Sequence, residues 1–387
     1  MRWSLVLVRA LAVLALWIGG DSGVFSQNPC PCLPRDLCLP IPADHQYQVE
    51  PHTMVQLTAL FLYQVLAFYR GGTDWIHYDW SKVTTVVALN SPQADLVCHA
   101  HANKVRVVLK ESIEKNHLID SAKQHDWINS QLRFIKLHFM DGINLDLMET
   151  ISSGHELTQL LRQTTTTFHL ERHGSQVTFN VPWTPNCPGG NCLDYAEMAN
   201  STDFLVVKSF NVKKQLWGEC FAKANAPYHQ VYSGLSAYIN MGVDSRKLVM
   251  TVPWFGYDYP CQHFYEPSRC ELRKVPFSGA PCSPHIGKKI SYKVIMQQLP
   301  RSITGRYWDD DYKSPYYVYM VNNTYHEVWY DDPESISLKS LILKKLKLRG
   351  IGAWTGNYLN YTAGPTVAMQ SEEMWNALCP IRGKWRT

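Results

Sequence analysis

The sequence predicts an α/β protein: a (β/α)8 TIM barrel carrying a small α+β insertion between its seventh and eighth strands. Eight short, nearly all-apolar runs recur along the 387 residues, as parallel strands buried on both faces should read. Amphipathic stretches of helical spacing lie between several of them, and such alternation of β and α units builds a parallel sheet that eight units can close. A doubly wound sheet is the rival, but no GxGxxG follows the first run to favour it.

The elements follow in order. Arg2 and Arg9 accompany the apolar run Ala10–Ile18, and Gly19, Gly20, Ser22, Gly23 and Ser26 supply small residues after it. This reads as a signal peptide over residues 1–26, too short for the ~20 apolar residues of a bilayer span. Residues 27–387 are then the barrel. Strands are expected at Gln64–Tyr69, Thr84–Leu89, Val105–Leu109, Gly142–Leu147, Gln176–Val181, Phe204–Lys208, Leu248–Pro253 and Gly350–Trp354. Between the fourth and fifth, His155–His173 places Leu157, Leu160, Leu161 and Phe168 near helical spacing. The long interval before the last strand holds the insertion, about 258–345: first Cys261, Cys270 and Cys282, then Ser291–Leu299, then the alternating aromatic run Tyr316–Tyr330. That run turns at Asn322-Asn323 like a β-hairpin and is expected to wall a cleft, because barrel sites are built on the loop face.

Composition narrows the function classes. Net charge is only +4, with no long basic run, which argues against a nucleic-acid partner. The 13 Trp and 21 Tyr suit a sugar-binding cleft, and equally a large core. No later stretch is long and apolar enough for a transmembrane helix. The 11 cysteines favour disulfides in an oxidising lumen, and the odd number leaves at least one without an intrachain partner. Their pairing is not readable, and no CxxC…CxxC spacing points to a metal. No metal or organic cofactor is expected. Asn200, Asn322 and Asn360 begin N-glycosylation acceptor triplets. A lysosomal or secreted location and a monomer are the resulting expectations.

The fourth strand carries the chemistry. In Met140-Asp141-Gly142-Ile143-Asn144-Leu145-Asp146-Leu147-Met148-Glu149, alternation sends Ile143, Leu145 and Leu147 toward helices and Asn144, Asp146 and Met148 toward the barrel axis. Polar groups on that axis are costly unless they bond each other or a ligand, so this strand end is the candidate site. MDGINLDL resembles the signature of the family 18 chitinase-type glycosidases, DG-aliphatic-(D/N)-x-D-x-E. HYDWSKVTTVVAL, KVRVVLK, KLVMTVPWFGYDY, KVPFSGAPCS and LRGIGAW extend the resemblance, which includes the family's lysosomal member, over almost all of the mature chain.

The resemblance implies a glycoside hydrolase working on N-acetylglucosamine linkages by a substrate-assisted retaining mechanism, outside the usual two-carboxylate scheme. A glutamic acid at the last motif position protonates the glycosidic oxygen, the substrate's acetamido oxygen attacks the anomeric carbon, and an aspartate stabilises the oxazolinium. Asp146 matches that aspartate, Asp141 and Asn144 match the outer motif positions, and Trp354 matches the tryptophan on which the sugar stacks. Trp183, Trp254 and Tyr257 are further candidate stacking faces.

Departures are as informative. The acid position reads Met148, whose thioether has no proton to give. Glu149 is one residue late, which turns a strand side chain to the opposite face unless a bulge redirects it. The family's MSYD after the sixth strand reads Lys208-Ser209-Phe210-Asn211, losing a tyrosine hydroxyl and a charge; Lys208, if inward, pairs with Asp146. About a dozen extra residues stand around Pro51–Tyr63, and Phe68-Tyr69-Arg70 replaces the family's aromatic and acid. The preferred reading is a barrel that binds N-acetylglucosamine-containing oligosaccharides with hydrolysis weakened or lost. A working hydrolase with Glu149 as displaced acid, and a structural barrel without glycan affinity, are the alternatives.

Overall fold

The computed structural model describes residues 29–41, 63–147, 154–185, 187, 193–212, 220–266, 269–274 and 287–378. The chain divides into two compact units, Met1–Cys30 and Pro31–Thr387. Pro29 and Cys30 are the described residues of the first and hold no helix or strand; the rest concerns the second.

Eight parallel strands close into a barrel: β1 (Gln64–Tyr69), β2 (Thr85–Ala88), β3 (Arg106–Ile113), β4 (Gly142–Leu147), β5 (Gln176–Val181), β6 (Phe204–Val207), β7 (Leu248–Pro253) and a final strand Gly350–Trp354, which pairs with both β7 and β1. Five of the eight coincide with the sequence expectation end to end. β3 ends four residues later than expected because its pairing with β4 continues to Ile113↔Leu147. The two faces of each strand sort as alternation requires. Ile143, Leu145, Val177 and Phe179 pack outward with the helix His155–Glu171, whose Leu157, Leu160, Leu161 and Phe168 are fully buried. Leu66, Phe68, Val87, Val108, Phe204, Val206 and Val249 form a separate cluster inside the barrel. Burial of each such side chain stabilises by roughly 1.5–3 kcal/mol.

Close strand packing explains the glycine of the DG motif. A Cβ on Gly142 would lie 2.0 Å from the Gln176 carbonyl oxygen, and its φ of 153° disfavours any other residue.

The interval after β7 folds into a second sheet. Beside β8 (Phe255–Pro260) lie a small hairpin, β9 (His263–Tyr265) and β10 (Arg269–Glu271), and then β11 (Lys288–Ser291), β12 (Tyr307–Asp309), β13 (Ser314–Val321) and β14 (Thr324–Trp329). Five of these make an antiparallel sheet in the order β11-β8-β14-β13-β12. The expected hairpin is β13–β14. Asn322 and Asn323 sit at its tip with φ of 49° and 59°, the left-handed pair that a two-residue turn needs. The sheet begins at Phe255 and ends at Trp329, while the helix Pro333–Leu346 buries Ile336, Ile342 and Leu343 in the barrel's outer layer. The barrel strand Gly350–Trp354 is thus the fifteenth in chain order, β15.

Disulfides join Cys32 to Cys98 and Cys261 to Cys270, the second closing the β9–β10 hairpin. Cys38, Cys187 and Cys220 are also disulfide-bonded. Among the described residues no helix is long and apolar enough to cross a membrane. Residues 51–62 of the extra segment lie outside the described residues.

Candidate functional site

Near the C-terminal end of the barrel the inward side chains change from apolar to charged. Asn144 is fully buried on the inner face of β4. Its Nδ2 donates to Thr178 Oγ1 at 2.8 Å and to Asn180 Oδ1 at 3.0 Å, and Asn180 Nδ2 donates back at 2.9 Å. Asp146 stands one step nearer the mouth. Lys208 Nζ donates to its Oδ1 at 2.9 Å, and Lys110 Nζ lies 3.4 Å from its Oδ2 and 3.4 Å from Ser112 Oγ. The two inward polar groups of β4 therefore bond side chains from other strands, Asp146 reaching across to Lys208 at the end of β6, and not one another. Side-chain exposures of 15% for Asp146, 19% for Lys110 and 33% for Lys208 place the trio in a partly dried recess, where charges interact more strongly than at an open surface.

Lys208 faces inward because the ladder runs one residue past β6: its backbone N–H still donates to Val181 at 2.9 Å, so it keeps the parity of Val206. Ser209 and Phe210 then turn sharply, with N–H bonds back to Val207 and Lys208, and Asn211 adopts a left-handed φ of 56°, which asparagine tolerates.

Aromatic rings roof the recess. Trp354, partly exposed at the end of β15, lies 4.6 Å from the Phe68 ring and 5.6 Å from Phe210. Phe210 is buried edge-on against Phe255 at 5.5 Å. Tyr257, from the second sheet, donates its hydroxyl to Asn211 Oδ1 at 2.8 Å, and burial, then the neighbouring Tyr358, raises its pKa. At the rim Arg70 Nη1 donates to the Tyr358 hydroxyl at 2.6 Å, and Lys289 Nζ lies 3.6 Å from the centre of the Phe255 ring and 5.3 Å from that of Tyr358. Asp146, Phe210, Asn211, Tyr257 and Trp354 are thus brought to one end of the barrel, with Asn144 beneath them.

Two other expectations are corrected. Asp141 stands at the opposite, N-terminal end of β4, about 16 Å of extended strand from Asp146. Its fully buried carboxylate accepts from the Val107 N–H at 2.8 Å and the Ile41 N–H at 3.0 Å, and meets His101 Nε2 at 2.8 Å; it anchors the N-terminal segment to the barrel floor. Trp254 has outward parity, is fully buried and packs edge-on against Trp375 at 4.7 Å. Trp183, partly exposed two residues past β5, lies beside the helix Tyr228–Asn240, where a Cβ on Gly234 would be 3.0 Å from its Cε3. Met148 and Glu149 lie outside the described residues. Asn200 and Asn322 are exposed, and Asn360 is partly exposed, its Oδ1 accepting from Thr362 Oγ1 at 3.1 Å.

Lys110, Lys289 and Tyr358 were not anticipated. For Lys110 the signal was present: it shares the inward parity of Val108 in KVRVVLK. Lys289 and Tyr358 reach the mouth through a cross-sheet pairing and a short loop helix, which local spacing does not encode.

A closed eight-stranded barrel with a charged aspartate on the inner face of β4 and an aromatic roof defines a chitinase-type glycosidase fold, and residues 101–358 match the Glycosyl hydrolases family 18 model. The chain belongs to that family. It is 40% identical to the di-N-acetylchitobiase of Homo sapiens over 389 residues, covering 98% of this chain and 97% of the relative. It is 29% identical to probable di-N-acetylchitobiase 2 of Dictyostelium discoideum, covering 90% of each. The fold is shared with a class V chitinase from Nicotiana tobaccum in complex with NAG4, at TM-score 0.64 and 15% identity, covering 81% of this chain and 99% of that one.

Proposed function

We propose that this chain is a chitobiase-like barrel that binds N-acetylglucosamine-containing oligosaccharides and whose hydrolysis of β-1,4 N-acetylglucosamine linkages is weakened or lost. The observation that carries the reading is the state of Asp146. Both oxygens of the carboxylate that would orient and stabilise an oxazolinium face lysine ammoniums. The residue two positions on, where the acid belongs, is Met148. General acid catalysis is typically worth ~10²–10⁴-fold, so its absence raises the barrier by ~3–5 kcal/mol. Phe210 has no hydroxyl to hold an acetamido oxygen, and the Asn211 carbonyl is already bonded to Tyr257. Binding needs none of these proton transfers: Trp354 offers a stacking face, with Tyr257 and Asn211 beside it. Disulfides at Cys32–Cys98 and Cys261–Cys270 support a lumenal or secreted location, with residues 1–26 as signal peptide and Asn200, Asn322 and Asn360 as glycan acceptors.

Titration calorimetry with chitotetraose, paired with product analysis after long incubation, tests the reading. Heat of binding with little or no product supports it. Rapid turnover that Glu149→Gln abolishes establishes the displaced acid instead, and no heat at millimolar ligand leaves a structural barrel.

A further inference from the structure

Asp146 carries one negative charge and meets two ammoniums, so among the described residues the recess holds one positive charge more than its own carboxylate neutralises. Among the described residues Lys208 meets no acceptor other than Asp146, and Lys110 adds only the neutral Ser112 hydroxyl. An ammonium has three donors, so each lysine retains bonds to give. Glu111, adjacent in sequence, has the opposite parity on β3, shared with Leu109 and Ile113 of the outer layer, and Lys110 acts on it through space without a hydrogen bond.

A second set of observations lies at the rim. Arg70 meets Tyr358 through its hydroxyl and ring, and among the described residues has no carboxylate partner. Lys289 is stacked on Phe255. Rings connect rim to recess: Tyr358 lies 6.0 Å from Phe255, Phe255 lies 5.5 Å from Phe210, and Phe210 lies 5.6 Å from Trp354. Cations interleaved with aromatic faces, over a recess with surplus positive charge, suit a saccharide that stacks its ring and presents an anionic substituent.

We infer that the ligand of this barrel is an anionic N-acetylglucosamine-containing oligosaccharide, carrying a sulfate or carboxylate group that the Lys110–Asp146–Lys208 cluster receives. This rests on the saccharide-binding reading above and names its substrate class. Lys208 is the residue that sets the preference: without it the described residues of the recess supply one ammonium and one carboxylate, which balance.

Binding of chitotetraose and of 6-O-sulfated chitotetraose to the full chain, measured by calorimetry, tests the inference, because the two share a backbone and differ in charge. The sulfated sugar is expected to bind at least about tenfold more tightly, the ratio shrinking as salt rises from roughly 0.1 to roughly 1 M and the screening length falls from about 10 to about 3 Å. Lys208→Met should bring the ratio close to one, and Lys208→Arg, which keeps the charge, should preserve it. Equal or weaker binding of the sulfated sugar overturns the inference while leaving neutral-glycan binding intact. A ratio that survives Lys208→Met removes the cluster as its cause. Binding of the sulfated sugar alone upholds the anionic preference against the neutral-glycan reading, and binding of neither sinks both.

Discussion

Reinstating the missing acid is the perturbation that separates the two defects at β4. Met148→Glu supplies a carboxylic acid at the family's position, a change worth at most ~10²–10⁴-fold. The structure predicts that most of this gain stays latent, because Asp146 remains bonded to Lys208 at 2.9 Å. The gross attraction of such a pair is about 5 kcal/mol at an effective dielectric near 20. Desolvation and the one-third exposure of Lys208 reduce its net hold to about 1–2 kcal/mol, or roughly tenfold in rate. Lys208→Met alone should therefore leave turnover at background, Met148→Glu alone should raise it modestly, and the double substitution should exceed Met148→Glu by about a further tenfold. The assay is kcat/KM for release of reducing sugar from chitotetraose, with product chromatography. A double variant no faster than Met148→Glu would refute the claim that Lys208 restrains Asp146. A wild-type rate that Met148→Glu fails to raise would refute the claim that the acid is missing.

Three stability predictions follow from groups away from the mouth. Asp331 and Lys339 form a fully buried ion pair, with Ser335 also donating to Asp331. Asp331→Asn should destabilise by about 3–5 kcal/mol by stranding the lysine, and Asp331→Leu with Lys339→Met should recover most of that, read as the denaturant midpoint. Glu327, buried under the second sheet and bonded by the Trp329 indole N–H, has its pKa raised by burial from 4.5 to about 8. Its contribution is complete below the unfolded value and is lost as pH rises through about 8, at up to about 1.4 kcal/mol per pH unit. Glu327→Gln should flatten the fall in Tm between about pH 4.5 and about pH 8; an unchanged slope would discount it. Burial acts to lower the pKa of His101, but the hydrogen bond and charge of Asp141 and the Leu37 carbonyl outweigh it, so the value is raised. The clasp it makes is thus strongest in acid and weakens as pH climbs through that raised value, and His101→Gln should remove this component of the Tm profile.

The barrel was legible because its strands are buried on both faces and read as apolar runs, and because outward residues such as Leu157 and Phe168 repeat at helical spacing. Asp146 and the inward turn of Lys208 were legible from parity alone. Trp254 was misplaced because proximity to a strand end does not say which face a ring takes; parity, applied as it was to β4, would have sent it outward. Asp141 misled for a different reason. A motif marks residues that occur together, and here they divide between opposite ends of one strand, one clamping the floor through Ile41, Val107 and His101. The partners of Asn144 come from β5, 34 and 36 residues away, so no local pattern could have named them.

The clamp at the floor limits how the N-terminal end of the chain can be handled. Asp141 holds the Ile41 amide, His101 reaches back to Leu37, and Cys32 is tied to Cys98. Trimming beyond Cys32 would remove a covalent tether, and trimming beyond Ile41 would also strip a donor from a carboxylate that water cannot reach. Fusions or cleavage sites belong ahead of that cysteine.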